Sequence, residues 1–237
     1  MGRAFEFRKA RKMKRWSNMA KTFTRIGRDI IIAVKESGPD PSSNSRLRAI
    51  IQNAKSVNMP KDNIERAIKK ASEKSTENFK EVLLEGYAPY GIAILIEAAT
   101  NNNNRTVANI RSYFNKCGGS LATSGSVDFL FNHHCFFQIK DEGIDIEELE
   151  LELIDFGAIE LSNLENEISI TAKFEDFGSI QRELERRKIK ISSSEFEREA
   201  ITTKNLSEEE KQKVEKLINI IDEDEDVQNV YHNMKNY

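Results

Sequence analysis

Three stretches near the start of the chain repeat apolar residues at helical spacing. Phe23, Ile26, Ile30 and Val34 form the first stripe, which Gly38-Pro39 ends. Leu47, Ile50, Ile51, Ala54 and Val57 form the second, preceded by the capping run Ser42-Ser43-Asn44-Ser45. Ile64, Ala67, Ile68 and Ala71 form the third, with Pro60 near its first helical position and Asp62 in its first turn. Each stripe covers one face, so residues 21–78 are predicted to pack as a small three-helix bundle with polar groups outside. Residues 1–20 hold too little apolar material for a core. They read as a basic arm that is mobile alone and orders on its partner.

From about residue 79 the period shortens to that of strands. Residues 80–86 and 92–98 predict a hairpin around Ala88-Pro89-Tyr90-Gly91. Residues 106–116 predict a helix with Val107, Ile110 and Phe114 on one face, closed by Gly118-Gly119. Val127–Phe131 reads as a further strand. Strand 134–140, helix 145–156, strands 158–162 and 167–172, helix 176–187 and strand 188–196 then give βαββαβ, the ferredoxin-like order. Residues 208–221 are an amphipathic helix and 227–232 a last strand. The fold class is therefore α+β: a helical N-terminal domain followed by two α+β domains. Residues 79–131 have too few elements alone and are completed by 205–237, so 132–204 is expected to be a ferredoxin-like domain inserted into the other.

Composition adds one fact that the pattern does not. The chain carries 36 Lys+Arg against 39 Asp+Glu, a net charge of −3. Residues 1–70 hold 18 basic and 6 acidic residues, or +12, and the remainder 18 and 33, or −15. A cationic segment joined to an acidic body points to a polyanionic partner, with nucleic acid first. No apolar run reaches the length of a membrane span. The opening residues lack the apolar core of a secretory signal, and two cysteines imply no disulfide framework. The cytoplasm is the expected location.

Several longer motifs carry a family resemblance. Asn58-Met59-Pro60-Lys61-Asp62-Asn63-Ile64-Glu65-Arg66-Ala67-Ile68 resembles a hallmark of the YebC/PmpR family. So do Glu85-Gly86-Tyr87, Asn104-Arg105-Thr106, Arg111, Gly118-Gly119 and Gly125-Ser126-Val127, all in family order. The resemblance implies a helical domain followed by two α+β domains, the third inserted into the second. It also implies a role in gene expression. The family includes bacterial proteins called transcriptional regulators, a mitochondrial translational activator of cytochrome oxidase subunit I, and members that relieve ribosome stalls on proline-rich nascent chains. The chain departs from the pattern in two places. The usual opening Gly-His-Ser-Lys-Trp run is absent, and the glycine-rich turn after Gly86-Tyr87 is reduced to Ala88-Pro89-Tyr90-Gly91.

The basic segment is the strongest chemical signal, because Lys and Arg displace phosphate counterions with an entropic gain. Arg8, Lys9, Arg11, Lys12, Lys14 and Arg15 supply the arm; Lys21, Arg25, Arg28, Arg46, Arg48, Lys55, Lys61, Arg66, Lys69 and Lys70 dress the bundle. Trp16 either stacks on an unpaired base or anchors the arm to the bundle. Asn101–Thr106 sits at a strand-to-helix turn, where Asn104, Arg105 and Arg111 could meet a phosphate; capping alone also explains the asparagines. No phosphate-binding glycine loop with a following Gly-Lys-Ser/Thr is present, which argues against nucleotide hydrolysis. His133, His134 and Cys135 point to alternate faces of a strand and do not converge on a metal. The acidic run Asp222–Asp226 reads as a solvated loop or a contact for a basic ribosomal protein. The expectation is a non-enzymatic nucleic-acid-binding factor without cofactor, metal, membrane or small-molecule substrate. Ribosomal RNA or tRNA is the favoured target and ribosomal proteins are further partners, in a ribosome-associated translation factor; a DNA-binding transcriptional regulator is the alternative.

Overall fold

The computed structural model describes residues 3–73, 78–164 and 167–235, with the backbone alone at 3–18 and 164. The chain forms two compact units, Met1–Glu77 and Asn78–Tyr237.

The first unit contains α1 (Arg3–Ser37), α2 (Ser45–Ser56) and α3 (Lys61–Ser72). The arm expected at 1–20 is thus corrected from residue 3 onward: its backbone continues α1 without a break. Residues 3–20 contain neither Gly nor Pro and are rich in Ala, Lys, Arg and Met, all strong helix formers. Ile30, Val34, Leu47, Ala54, Ile64 and Ala71 are buried between the helices. Val57, expected in the apolar stripe, is instead 40% exposed because α2 has ended at Ser56. Met59 takes a buried place, its N–H donating to Ala54 O at 2.8 Å. Asn44 ties α1 to α2. Its Oδ1 accepts from Leu47 N at 2.9 Å, and its Nδ2 donates to Ala33 O at 2.8 Å and Gly38 O at 2.9 Å. One buried amide therefore caps α2 and satisfies two carbonyls at the end of α1.

The second unit starts with β1 (Lys80–Ala88), β2 (Ile92–Thr100), α4 (Asn103–Lys116) and the short β3 (Ser120–Leu121). It continues through β4 (Phe131–Lys140), α5 (Ile146–Ile154), β5 (Ala158–Leu164), β6 (Glu167–Lys173), α6 (Phe177–Arg186) and β7 (Ile191–Ala200), and ends with α7 (Glu208–Asp222) and β8 (Val227–His232). Two antiparallel sheets result, ordered β3-β1-β2-β8 and β5-β6-β4-β7. The second order is that of a ferredoxin-like βαββαβ unit. It interrupts the first sheet between β3 and β8. Its first and last strand residues, Phe131 and Ala200, are register partners, and Ile201 N donates to Leu130 O at 2.9 Å, so the chain leaves and re-enters at one point. Ile92, Ile94 and Ile96 of β2 pack with Ile110 and Phe114 of α4 and Val214, Leu217 and Ile221 of α7. On α4, Thr106 fills the buried place expected of Val107, which is half-buried. In the other sheet Cys135, Phe137 and Ile139 line the buried side of β4, and Phe137 stacks on Phe177 at 5.0 Å.

Two further expectations need correction. Val127–Phe131 is not a strand: residues 128–130 form a 3₁₀ turn and β4 begins only at Phe131. The Glu85 carboxylate takes the N–H groups of Gly125 (2.6 Å), Val127 (2.6 Å) and Asp128 (3.0 Å), which curls that backbone out of any ladder. Strand β7 runs later than 188–196, because Lys188 adopts φ 61° and turns the chain out of α6.

Replacing Asn44 by Ala should lower the stability of the first unit by about 2 kcal/mol, through the lost cap and two carbonyls left without a donor. Asn44→Asp, which sets a buried carboxylate oxygen against those two carbonyls, should cost at least as much in urea unfolding followed by circular dichroism. A midpoint like that of the parent in both variants would contradict the assignment.

Candidate nucleic-acid interface

The cations of the first unit divide by what holds them. Arg46 pairs with Glu36 at 2.9 Å, across the α1–α2 turn. Arg48 donates to Pro41 O (2.5 Å) and Ser42 O (3.2 Å), where it braces that same turn. Arg66 donates to Asp62 O at 3.1 Å and to the Asn63 side chain. These three arginines do structural work at helix ends. Lys55, Lys61, Lys69 and Lys70 lie exposed on α2 and α3; the Lys61 side chain is 86% exposed, with Glu65 as a partner at 3.3 Å. Lys21, Arg25 and Arg28 are half-buried along α1. The side chains of Arg8, Lys9, Arg11, Lys12, Lys14, Arg15 and Trp16 lie outside the described residues, although their backbone is helical. Within the hallmark motif, Asn58 holds a left-handed turn (φ 57°), Met59 is core, Asn63 meets Arg66, and Lys61 faces solvent.

The candidate phosphate turn at α4 is differently occupied. Asn102 caps the helix through Arg105 N at 3.1 Å. The Arg105 guanidinium, however, binds Asp226 at 2.8 and 3.1 Å. Asp226 also accepts from Thr106 Oγ1 at 2.8 Å and Thr100 Oγ1 at 3.2 Å, and its side chain is only 4% exposed. Burial would raise its pKa, yet the hydrogen bonds from Arg105, Thr106 and Thr100 and the charge of Arg105 hold it below the usual 3.8. The turn expected to receive a phosphate thus already receives a carboxylate of the protein. The acidic run is corrected with it: Asp226 is buried, and Asp224 accepts from Tyr113 Oη at 2.9 Å and Asn109 at 3.3 Å, so neither is solvated loop. Asn104 and Arg111 remain exposed on α4.

The remaining motif residues are structural contacts. Glu85 and Tyr87 reach the Gly125-Ser126-Val127 block, with Tyr87 Oη donating to Ser126 O at 2.9 Å. A Cβ on Gly86 would stand 2.5 Å from Phe114 Cζ, and one on Gly119 would stand 2.6 Å from Tyr87 O. Both glycines are therefore required by close approach. His133 stacks on Phe174 at 3.9 Å, His134 Nδ1 lies 3.5 Å from Glu199, and Cys135 donates to Lys173 O at 3.2 Å. Burial pushes the Cys135 thiol up to about 12, which removes it as a nucleophile at neutral pH.

Comparison with known proteins agrees with these blocks. The profile of the TACO1/YebC protein N-terminal domain matches residues 3–74, and that of the TACO1/YebC second and third domain matches residues 79–234. The chain belongs to the TACO1/YebC family. A relative from Flavobacterium johnsoniae, called "Probable transcriptional regulatory protein", is 67% identical over 99% of both chains. One of the same name from Porphyromonas gingivalis is 58% identical over 99% of this chain and 98% of its own. The crystal structure of a conserved hypothetical protein from Aquifex aeolicus aligns with a TM-score of 0.74 at 38% identity, covering 91% of this chain and 90% of that one. Among the described residues, no helix is long and apolar enough to cross a membrane.

In this TACO1/YebC chain Asp226 couples stability to pH. A carboxyl whose folded pKa is depressed stabilises the fold above its unfolded value and loses that contribution as pH falls through the folded one. Asp226→Asn should therefore cost about 1–3 kcal/mol at neutral pH. The gap between variant and parent should close as pH drops below 3.8. A gap that stays constant through that range in urea melts would refute the ion pair.

Proposed function

We propose that this protein is a non-enzymatic nucleic-acid-binding regulator of gene expression. It acts as a ribosome-associated translation factor that grips structured RNA by charge and shape and relieves stalled translation. The observation that carries this reading is the charge split, +12 over residues 1–70 against −15 over the rest. Phosphates attract the first unit and are repelled by the second, so the first unit can hold RNA while the second presents an acidic surface. The contacts would come from Arg8, Lys9, Arg11, Lys12, Lys14, Arg15 and Trp16 on the first half of α1. Lys21, Arg25, Arg28, Lys55, Lys61, Lys69 and Lys70 would follow along the helices, while Arg46, Arg48 and Arg66, expected among the contacts, brace the turns that carry them. Ribosomal RNA or tRNA fits this recognition, because it reads backbone geometry rather than base edges. Asn104 and Arg111 would add a secondary contact; Arg105, neutralised by Asp226, contributes least. The cytoplasm follows as the place of action.

A second reading has a specific observation behind it. Its relatives are called probable transcriptional regulatory proteins, which favours a DNA-binding regulator. The sequence offers that reading neither a recognition helix nor dimerisation heptads.

Reversing three charges, Arg11→Glu with Lys12→Glu and Arg15→Glu, should weaken binding to a structured RNA by about 100-fold and flatten its salt dependence. Circular dichroism should stay unchanged. Fluorescence anisotropy on the full chain, with RNA and DNA duplexes of equal length across a salt series, reads both quantities. Unchanged RNA affinity would sink the proposed grip, and tighter binding to DNA than to RNA would favour the regulator.

A further inference from the structure

The acidic charge of the second unit is concentrated in one place. Between Lys140 and Lys173 the chain carries eleven acidic residues and no basic one. This stretch contains α5, whose Leu149 and Leu153 are buried against the sheet. Two apolar side chains of the same helix stand in solvent: Leu151 is 71% exposed and Ile154 is 53% exposed. Three residues apart, they share one side of the helix. On β5, the strand on which α5 packs, Ile159 is likewise 50% exposed. The register slips between Ala158 and Glu160, so Ile159 is the bulged residue that the sheet turns outward.

Glu147, Glu148 and Asp155 stand three or four residues from Leu151 on α5, and Glu160 follows Ile159; all four are exposed. The edge of β5 is itself partly closed, because Glu150 accepts from Leu161 N at 3.2 Å. An added strand would have to displace that bond. Apolar side chains at a centre with one sign of charge around them match the anatomy of a docking face, whose partner carries the opposite charge on its rim. The same face of a second copy would bring the same negative rim and is repelled; nucleic acid is repelled for the same reason.

We propose that the α5–β5 face docks a basic amphipathic helix of a partner protein. Its apolar side covers Leu151, Ile154 and Ile159, and its Lys or Arg side chains meet Glu147, Glu148, Asp155 and Glu160. This inference stands apart from the proposed RNA grip, whose main contacts belong to the first unit. The test uses a labelled synthetic helix of Leu and Lys with its leucines on one face, and a scrambled peptide of identical composition. Both are titrated with the full chain. The amphipathic peptide should bind at least about tenfold tighter than the scrambled one. Leu151→Ser with Ile154→Ser should abolish that preference while melting and RNA affinity stay as in the parent, since both side chains are exposed. Glu147→Lys with Glu148→Lys should weaken both peptides. Equal binding of the two peptides, or a Leu151/Ile154 variant that binds as the parent does, would reduce the face to bare charge and overturn the proposal. A parent chain that dimerises in sedimentation velocity and becomes monomeric in that variant would overturn it too, by making a second copy the occupant.

Discussion

A buried carboxylate without donors costs several kcal/mol, and Asp226 escapes that cost because the fold that buries it also brings its donors. Its donors, Thr100, Arg105 and Thr106, lie more than a hundred residues upstream, at the end of β2 and the start of α4. The contact forms only when α7 and β8 return after the inserted domain, and it brings β8 onto the free side of β2. The first sheet and its core of Ile94, Ile96, Phe114 and Leu217 are thereby completed by the last residues of the chain. The insertion is tolerated because Phe131 and Ala200 pair, so a whole domain enters and leaves through a single register position. Arg198 then fixes the two sheets to each other, binding Glu97 of β2 at 2.9 Å and Asp128 at 2.7 Å.

The two signs of charge do different work in the two units. In the second, several acids are part of the fold: Glu85 gathers three backbone N–H groups, Asp224 holds Tyr113, and Asp226 closes α4. In the first, Arg46, Arg48 and Arg66 brace turns and helix ends, whereas Lys55, Lys61, Lys69 and Lys70 project from the surface. That partition suits the two side chains. The planar arginine fork spans carbonyls and carboxylates with defined geometry, and the lysine ammonium acts as a mobile point charge. The lysines are the cations that the proposed polyanion contact draws on.

Where periodicity alone decides an element, the sequence was sufficient. The β1–β2 hairpin, the strand at 227–232 and the βαββαβ order could all be read from alternation, helical spacing and turn residues. What it could not reveal were partners set by the return of the chain. Asp226 sits in a run of acids and looks solvated until Arg105 is seen beside it. Val127 looks like strand because nothing in its neighbourhood announces that Glu85 will take its N–H. The continuation of α1 through residues 3–20 was hidden for another reason: helix propensity there is high, but no apolar stripe marks it. Candidate site residues were legible as a charge excess, and their division into bracing arginines and projecting lysines was not.

The central claim is that the basic unit delivers this protein to the ribosome through RNA. Sedimentation of the tagged full chain through a sucrose gradient of cell lysate, at low and moderate salt and after DNase or RNase treatment, tests it most directly. The account predicts co-migration with ribosomes that survives DNase and is lost on RNase treatment or added salt. Protein that stays at the top of the gradient at low salt, yet is retained on DNA, would contradict it.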